Sequence, residues 1–401
     1  MALLPVADAL RRILEGAEAG SAEEVDLIAA SGRVLAEPIA AKFSQPPFDA
    51  SAMDGYAVRG ADVAELPAKL KVIGEAAAGH PFSGSIASGE AVRIFTGAPV
   101  PPGADAIVIQ ENTQRSGDSV TVRDGTPDPE HIRKHGSDFL AEQALLPAGL
   151  RLAARHVALA AAMGHGRLKV ARKPVVAVLA TGDELVEPGK TPAPGQIVAS
   201  NGYGIAAMVE AAGAEARLLG IAADTMDSLE AKFAEAADAD ILITIGGASV
   251  GDHDLVGRAI DEAGGSMDFW KIAMRPGKPL MFARREAQRI IGLPGNPVSS
   301  LICTRVFVVP LVKKLLGLDG AQETAETAQL THALGKNGPR QHYMRATLSF
   351  GADGSRQVTA APTQDSSFLS LLTASNCLIV RAPDAEELPT GGTVSVLPID
   401  F

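Results

Sequence analysis

"KPVVAVLATGDEL", residues 173–185, joins a continuous apolar run to a polar loop that follows it at once. The apolar part, Val175–Leu179, does not alternate with polar residues, which is typical of a parallel strand covered on both faces. Two further runs of this kind follow, Ile241–Ile245 and Arg289–Leu293. Helical patterns lie between and after the runs, in residues 202–216, 227–239 and 298–317. The repeated order of strand, loop and helix predicts an α/β domain with a mostly parallel sheet over residues 174–321.

The segments on either side of this domain contain shorter and more alternating apolar runs. Residues 45–140 include "EAVRIFTG" and "SVTVRDG", which indicate a small inserted β domain. Residues 322–401 include "HYMRATLSF" and "TVSVLP" at close spacing, which indicates a β barrel or sandwich. Amphipathic patterns over Val6–Ala19 and Val25–Leu35 predict a helical segment in residues 1–44. We expect this segment to share its domain with a linker region, residues 141–173, that holds the Ala-rich helix "ARHVALAAAMG".

The composition restricts the class of protein. A chain of 401 residues exceeds one hydrophobic core, so several domains are expected. The residues are 46% hydrophobic and 21% charged, and no apolar run approaches the roughly 20 residues of a membrane span, which predicts a soluble globular protein. A net charge of −11 argues against a nucleic-acid binder. Two cysteines provide no disulfide framework and the first residues lack the pattern of an export signal, so we expect a cytoplasmic protein.

Three predicted strands end in unusual loops, and in open α/β sheets ligands bind at the carboxyl ends of the strands. The first loop, "ATGDEL", places Asp183 and Glu184 directly after a buried strand, where a carboxylate can point into a crevice. An N-cap explains the same residues equally well, because Thr181 or Asp183 could accept from the free N–H groups of a following helix.

The second loop, "TIGGASVGDHD" (Thr244–Asp254), combines two opposed features. Its glycines leave backbone N–H groups free to wrap an anion, yet Asp252 and Asp254 repel one. The loop is neither a Walker A loop nor a dinucleotide fingerprint. The pattern is similar to an anion nest with a hard-cation site beside it. A Gly-rich turn with a capping aspartate is the alternative.

The third loop, "GLPGNPVSS" (Gly292–Ser300), has the residues of a helix start and more. Asn296 suits an N-cap and Pro297 the first helical position, whereas two glycines and two serines are not needed for that purpose. Ser299 lies in the predicted first turn, where hydroxyl and N–H groups can hold a phosphate. The stretch before it, "KIAMRPGKPLMF", concentrates Lys271, Arg275 and Lys278 around a Pro-Gly turn. Solubility explains isolated surface cations, but a cationic turn between two anion loops favours a binding role.

Three acidic or hydroxyl-bearing turns lie in the predicted inserted domain. They are "FDASAMDGYAVRG", with Asp54, "IFTGAPVPPGAD", with Thr96, and "RKHGSD", with Asp138. Each is an ordinary turn when read alone. His131 and His135 lack the glutamate and the helix of a zinc motif, and no nucleophile elbow indicates covalent catalysis.

Taken together and in this order, these stretches resemble the MoeA family of molybdopterin molybdenumtransferases and the related E domain of gephyrin. The stretches that carry the resemblance are "SAMDGYAV", "IFTGAPVPPGADAIV", "GSD", "LATGDELV", "SNGYGI", "GGASVGDHD", "MRPGKPL" and "GLPGNPVSS". The resemblance implies a central MogA-like α/β domain, an inserted β domain, a helical segment and a C-terminal β barrel. It also implies a homodimer that inserts molybdate into adenylylated molybdopterin, releases AMP and uses Mg²⁺.

The resemblance assigns roles to single residues. Gly246, Gly247, Ser249 and Gly251 would hold the phosphates, with Pro294, Gly295 and Asn296 beside them. Asp252 or Asp254 would bind Mg²⁺ together with Glu184 and Asp224. Asp54, Thr96 and Asp138 match positions that the family needs for activity.

Molybdate is a tetrahedral dianion, so cations and hydroxyl groups would bind it. Arg275, Lys278 and Ser299 are the first choice, with Lys271 on the same stretch. Arg345 of "HYMRATL" and Ser366 of "TQDSSF" form a second predicted cluster.

Two other functions compete with molybdenum insertion. The first is adenylylation of molybdopterin, because the α/β domain is of a shared type; the extra β domain and the terminal barrel argue against it. The second is a gephyrin-like scaffold, which would not need the full set of carboxylates and cations. For the leading function, the expected partners are the preceding adenylyltransferase and downstream proteins that mature molybdoenzymes.

Overall fold

The computed structural model describes residues 3–125, 127–247, 255–318 and 326–399. They belong to two compact units. The large unit comprises Met1–Glu23, Gly32–Ala36 and Val170–Phe401, and the small unit comprises Glu24–Ser31 and Glu37–Lys169.

The described helices, in chain order, are α1 Val6–Leu14, α2 Ala154–Ala162, α3 Asn201–Ala212, α4 Met226–Glu235, α5 Leu255–Glu262, α6 Pro297–Cys303, α7 Val309–Leu315 and α8 Leu369–Thr373. A π-helical turn, Thr304–Val308, joins α6 to α7. Short 3₁₀ helices are Leu27–Ala30, Gly60–Val63, Gln110–Asn112 and Pro129–His131.

The described strands of the first half are β1 Ala22–Asp26, β2 Ile39–Ala40, β3 Ala50–Ser51, β4 Gly55–Val58, β5 Ala68–Ala76, β6 Glu90–Ile94, β7 Ala106–Ile109, β8 Thr113–Ser116, β9 Ser119–Val122, β10 Ile132–Arg133, β11 Ala144–Leu146 and β12 Arg167–Ala171. Those of the second half are β13 Val175–Thr181, β14 Leu185–Val186, β15 Ile197–Val198, β16 Glu215–Ala222, β17 Ile241–Ile245, β18 Ser266–Trp270, β19 Met274–Arg275, β20 Met281–Arg285, β21 Gln288–Leu293, β22 Glu326–Leu330, β23 Gln341–Phe350, β24 Arg356–Ala360, β25 Cys377–Arg381 and β26 Thr393–Pro398.

The small unit is built on a six-stranded sheet with the order β7-β4-β6-β5-β9-β8. Strand β9, next to the β8 edge, alternates: Val120 and Val122 are buried and the residues before them are not. Strand β4, next to the β7 edge, is buried at all four positions, because one apolar cluster covers each face of the sheet. Two short antiparallel pairs, β3 with β10 and β2 with β11, extend this unit.

The large unit contains the predicted α/β domain. Its sheet has the order β16-β13-β17-β21-β20-β18, in which the first four strands are parallel and β20 is antiparallel to both neighbours. Strands β17 and β21 are buried along their whole length, as their continuous apolar sequences predict. Residues of α1, α3, α6 and α7 cover one face and residues of α4 and α5 the other. The prediction of an α/β fold is confirmed.

The C-terminal part of the large unit is a closed barrel. Strands β23, β24, β22, β26 and β25 are neighbours in this order, and pairing of β25 with β23 closes the ring. Alternate residues such as Val358, Ile379 and Val396 fill its interior. This arrangement confirms the barrel rather than the sandwich.

One predicted helix is wrong and another is too long. Residues 25–35 form the end of β1, a single 3₁₀ turn and a tight turn at Gly32, whose φ is +77°. The apolar spacing in residues 25–35 indicated a helix, but Ile28 is 88% exposed while Ala30 and Val34 are buried. The apolar residues therefore do not share one helical face. The helix predicted from Val6 ends at Leu14, before Gly16 at φ +63°, and Arg284 and Arg289 bind its last carbonyl groups.

Candidate functional site

The three predicted loops meet at one pocket of the large unit. Strands β13, β17 and β21 are adjacent and parallel, so their carboxyl ends, Thr181, Ile245 and Leu293, lie at the same edge of the sheet. A pocket of about 610 Å³ opens there. Its walls include Thr181, Glu184, Gly246, Pro294, Gly295 and Asn296. The structure therefore brings together residues that are more than 100 positions apart in the sequence.

Two glycines shape the end of β17 at this pocket. Gly246 has a φ of +91° and Gly247 a φ of +63°, which side chains rarely tolerate. A Cβ atom on Gly246 would lie 2.8 Å from the carbonyl oxygen of Thr181, and one on Gly247 would lie 2.6 Å from Val256 Cγ2. The Gly246 N–H donates to the Leu293 carbonyl at 3.1 Å. Close packing of the strand ends thus requires glycine at both positions. The remaining predicted residues of this loop, Ser249, Gly251, Asp252 and Asp254, lie outside the described residues.

Carboxylates gather at the ends of β13 and β16. Glu184 lines the pocket, and the Asp224 N–H donates to Asp183 Oδ1 at 3.1 Å. Burial and the negative charges of Asp183 and Glu184 raise the pKa of Asp224. Over the described ranges, no three acidic, histidine or cysteine side chains converge in an arrangement that could hold a metal ion.

Asn201, the first residue of α3, is a pocket residue that the sequence analysis did not single out. Its Nδ2 donates to the Gly295 carbonyl oxygen at 2.7 Å, and the side chain lines the pocket. Gly295 in turn packs against Gly246, since a Cβ built on it would lie 3.9 Å from Gly246 Cα. Asn201 therefore fixes the third loop against the second. The sequence signal for Asn201 is the "SN" pair directly before a helical run, and that pair contributed only to the resemblance to the family.

The cationic turn lies against helix α6. Backbone hydrogen bonds from Lys271 to Leu280 and from Ile272 to Lys278 close it, at 2.9 and 3.0 Å. A Cβ on Gly277 would lie 2.4 Å from the sulfur of Cys303, which is one helical turn beyond Ser299. Arg275 and Lys278 are exposed, and neither side chain has an ion-pair partner in the described parts of the chain. Ser299 itself is only 4% exposed.

Ser366 and Arg345 contribute to the start of α6 through one loop. Asn296 Nδ2 donates to Ser366 Oγ at 3.0 Å. Arg345 is buried, and its guanidinium donates to three carbonyl groups of residues 363–368 at 2.8–3.1 Å. Asp365 accepts hydrogen bonds from the backbone and hydroxyl of Ser367. Arg345 thus holds the loop that presents Ser366.

The small unit brings Asp54 and Thr96 together. Asp54 Oδ1 accepts from the Thr96 backbone N–H and from the Thr96 hydroxyl, both at 2.8 Å. These two hydrogen bonds lower the pKa of the Asp54 carboxyl, because they favour its ionised form.

Arg93 fixes the strands that carry this pair, and the sequence analysis missed it. Its guanidinium lies 5.2 Å from the ring centre of Tyr56 and 4.7 Å from that of Phe95. It donates to the Gly55 carbonyl at 2.9 Å and to Gln110 Oε1 at 2.6 Å. Gly55 follows Asp54 and Phe95 precedes Thr96, so Arg93 braces both sides of the pair. Asp138 lines a different pocket of the small unit, of about 380 Å³.

Comparisons with known proteins cover nearly the whole chain. Residues 4–164 match the MoeA N-terminal region (domain I and II), residues 177–314 a probable molybdopterin binding domain, and residues 327–399 the MoeA C-terminal region (domain IV). The chain is 39% identical to the molybdopterin molybdenumtransferase of Nostoc sp., over 94% of this chain and 88% of that protein. It is 36% identical to the protein of that name from Haemophilus influenzae, over 94% of each chain.

Solved structures agree with these relatives. The molybdopterin biosynthesis MoeA protein of Pyrococcus horikoshii matches with a TM-score of 0.86 and 30% identity, over 100% of both chains. Within the described residues, no helix is both long and apolar enough to cross a membrane. The chain belongs to the MoeA family.

Proposed function

We propose that this protein inserts molybdenum into molybdopterin. It takes adenylylated molybdopterin and molybdate, forms molybdenum-molybdopterin and releases AMP. One observation carries the proposal: three strand-end loops meet at a single pocket beside a cationic turn, in a chain whose relatives are named molybdopterin molybdenumtransferases.

The nucleotide end of the substrate binds in the large pocket. The Gly247 backbone N–H donates to its phosphates, the bare backbone of Gly246 lets them approach, and the loop Pro294–Asn296 supplies the opposite wall. The pocket volume of about 610 Å³ suits a nucleotide. Ser249 and Gly251 complete the phosphate cradle in this proposal.

Molybdate binds at the cationic turn. Arg275 and Lys278 are exposed and free of ion-pair partners among the described residues, so both can donate to a tetrahedral dianion. Lys271 adds positive charge at the base of the turn. Ser299 is buried and Arg345 is committed to carbonyl groups, so we assign them to positioning, with the Ser366 hydroxyl as the group that can reach the anion.

Glu184 and Asp224, together with Asp252 or Asp254, would hold Mg²⁺. Asp224 and its acidic neighbours fit this role, because burial and the charges of Asp183 and Glu184 raise the pKa of Asp224, and a dication between carboxylates would favour its ionised form. When bound, the ion neutralises phosphate charge and polarises the phosphorus–oxygen bond. Calorimetry should detect Mg²⁺ binding that Glu184→Gln weakens, and a chelator should stop AMP release.

We further propose a cytoplasmic homodimer that receives its substrate from the preceding adenylyltransferase. Support comes from the exposed apolar side chains of Tyr203 and Leu218 in the large unit, since exposed apolar surface is typical of interfaces. Light scattering should give twice the mass of one chain. A monomer at micromolar concentration would contradict the homodimer.

The decisive test of the function is the choice of substrate pair. The purified protein should release AMP and form molybdenum-molybdopterin from adenylylated molybdopterin and molybdate. Turnover of ATP and molybdopterin, with none of the first pair, would instead show an adenylyltransferase.

A further inference from the structure

The second pocket, in the small unit, has a preformed wall. Its lining residues come from residues 45–50 and 133–138 and from Gly97. Backbone hydrogen bonds join the two segments: Gln45 donates to Phe139 at 2.8 Å, Asp138 to Gln45 at 3.0 Å and Gly136 to Pro46 at 2.9 Å. The backbone of the pocket is therefore fixed before any ligand binds.

The loop that carries Asp138 is fixed from a second side. The Asp49 carboxylate accepts from Lys134 Nζ and from the His135 backbone N–H, both at 2.8 Å. The Ser137 N–H donates to the Lys134 carbonyl at 3.0 Å and closes the turn. Because the loop has these internal restraints, the Asp138 carboxylate is presented from a defined position.

Three side chains of this pocket are free to meet a ligand. The carboxylate of Asp138 and the guanidinium of Arg133 are exposed and have no hydrogen-bond or ion-pair partner within the described ranges. Phe48 is 41% exposed although it is a large aromatic residue. The two carboxylate oxygens of Asp138, the planar guanidinium of Arg133 and the aromatic ring of Phe48 together suit a flat heterocycle with polar edges.

We propose that this pocket binds a pterin ring, an inference that rests on the proposed function. A pterin presents a ring N–H and an amino group side by side, so the two oxygens of Asp138 can accept both hydrogen bonds. Adenine presents a ring-nitrogen acceptor beside its amino group, which a carboxylate repels. Phe48 stacks on the ring, and Arg133 donates to its oxo group.

The test compares pterin with lumazine, which carries an oxo group where pterin carries the amino group. Calorimetric titration of the full chain should give an affinity for pterin at least about tenfold higher than for lumazine. Asp138→Asn should remove or reverse this preference, because its amide donates to the lumazine oxo group. Asp118→Asn, an exposed carboxylate of the same unit, is the matched control and should leave both affinities unchanged.

Phe48→Leu provides a second variant that leaves the carboxylate in place. It should weaken the binding of pterin and of lumazine by similar factors, because stacking does not depend on the amino group. The ratio of the two affinities should therefore stay the same. Absence of pterin binding, equal affinities in the wild type, or a preference that survives Asp138→Asn would overturn the proposal. Molybdenum insertion without a pterin preference would overturn the pocket assignment alone, whereas a pterin preference without insertion would overturn the proposed function alone.

Discussion

The nucleotide pocket of the large unit and the Asp54–Thr96 pair of the small unit are built in different ways. The pocket depends on backbone: Gly246 and Gly247 allow the strand ends to approach closely. The pair depends on side chains, which are joined by two hydrogen bonds of 2.8 Å and braced by Arg93.

This difference determines how each region fails. Added volume damages the first region, because a Cβ atom meets backbone that cannot move aside. Loss of a hydrogen bond damages the second, because the charge state and position of one carboxylate depend on it. Substitutions can therefore separate the two contributions.

The largest effect is expected for Gly246→Ala. The new Cβ atom would lie 2.8 Å from the Thr181 carbonyl oxygen at a φ of +91°. We expect AMP release to fall by about 100-fold, since small misplacements of bound groups cost that much. The matched control is Gly189→Ala, which has a φ of +89° and no atom within 4 Å of the added Cβ. Equal activity of the two variants would refute the close-approach argument.

A smaller effect is expected for Thr96→Val. The variant keeps the backbone hydrogen bond to Asp54 and loses the one from the hydroxyl. Because that bond lowers the pKa of Asp54, its loss raises the pKa, and the carboxylate becomes protonated at higher pH. The acid limb of the kcat/KM profile should move to higher pH, with about a tenfold loss at acid pH, where the variant carboxylate is protonated, and little change at neutral pH, where it stays ionised. Thr96→Ser should restore the limb, and an unchanged limb in Thr96→Val would contradict a role for ionised Asp54.

A still smaller effect is expected for Asn201→Ala. Loss of the 2.7 Å bond to the Gly295 carbonyl loosens the third loop without touching the cationic turn. A net hydrogen bond of about 1 kcal/mol corresponds to about a fivefold rise in KM for adenylylated molybdopterin, with kcat nearly unchanged. Glu210→Ala, at an exposed position of the same helix, should leave KM unchanged. A fall in kcat alone would assign Asn201 to the chemistry instead.

The smallest effect is expected for Asp224→Asn. Asp224 has a pKa raised in the folded state by burial and by Asp183 and Glu184, so its ionisation destabilises the fold as the pH rises. Without Mg²⁺, the variant should melt on the order of 1 °C higher than the wild type at pH 7, with no difference at pH 3. Mg²⁺ should reduce the difference. Asp227→Asn, in the first turn of α4, should not raise the melting temperature.

The sequence predicted the central sheet well because its strands are buried on both faces. The continuous apolar runs at Val175, Ile241 and Arg289 correspond to β13, β17 and β21 within one or two residues. Their loops could be placed at one pocket for the same reason, since parallel strands end at one edge. Residues 25–35 could not be predicted, because apolar residues at helical spacing also occur where a strand, a 3₁₀ turn and a tight turn follow one another.

Single contacts between residues that are distant in the chain could not be predicted from the sequence. Asn201 binds Gly295, 94 positions away, and nothing local to "SNGYGI" specifies that partner. Arg93 reads as an ordinary polar residue of a half-buried strand, and only the register of β4 with β6 places it over Tyr56. The buried state of Arg345 was likewise unpredictable, because its three carbonyl partners belong to a later loop.

A crystal structure with AMP, Mg²⁺ and molybdate tests the central claim most directly. The account predicts the AMP phosphate at the N–H group of Gly247, beside Gly246 and Gly295, and molybdate at Arg275 and Lys278. AMP bound away from the carboxyl ends of β13, β17 and β21 would contradict it.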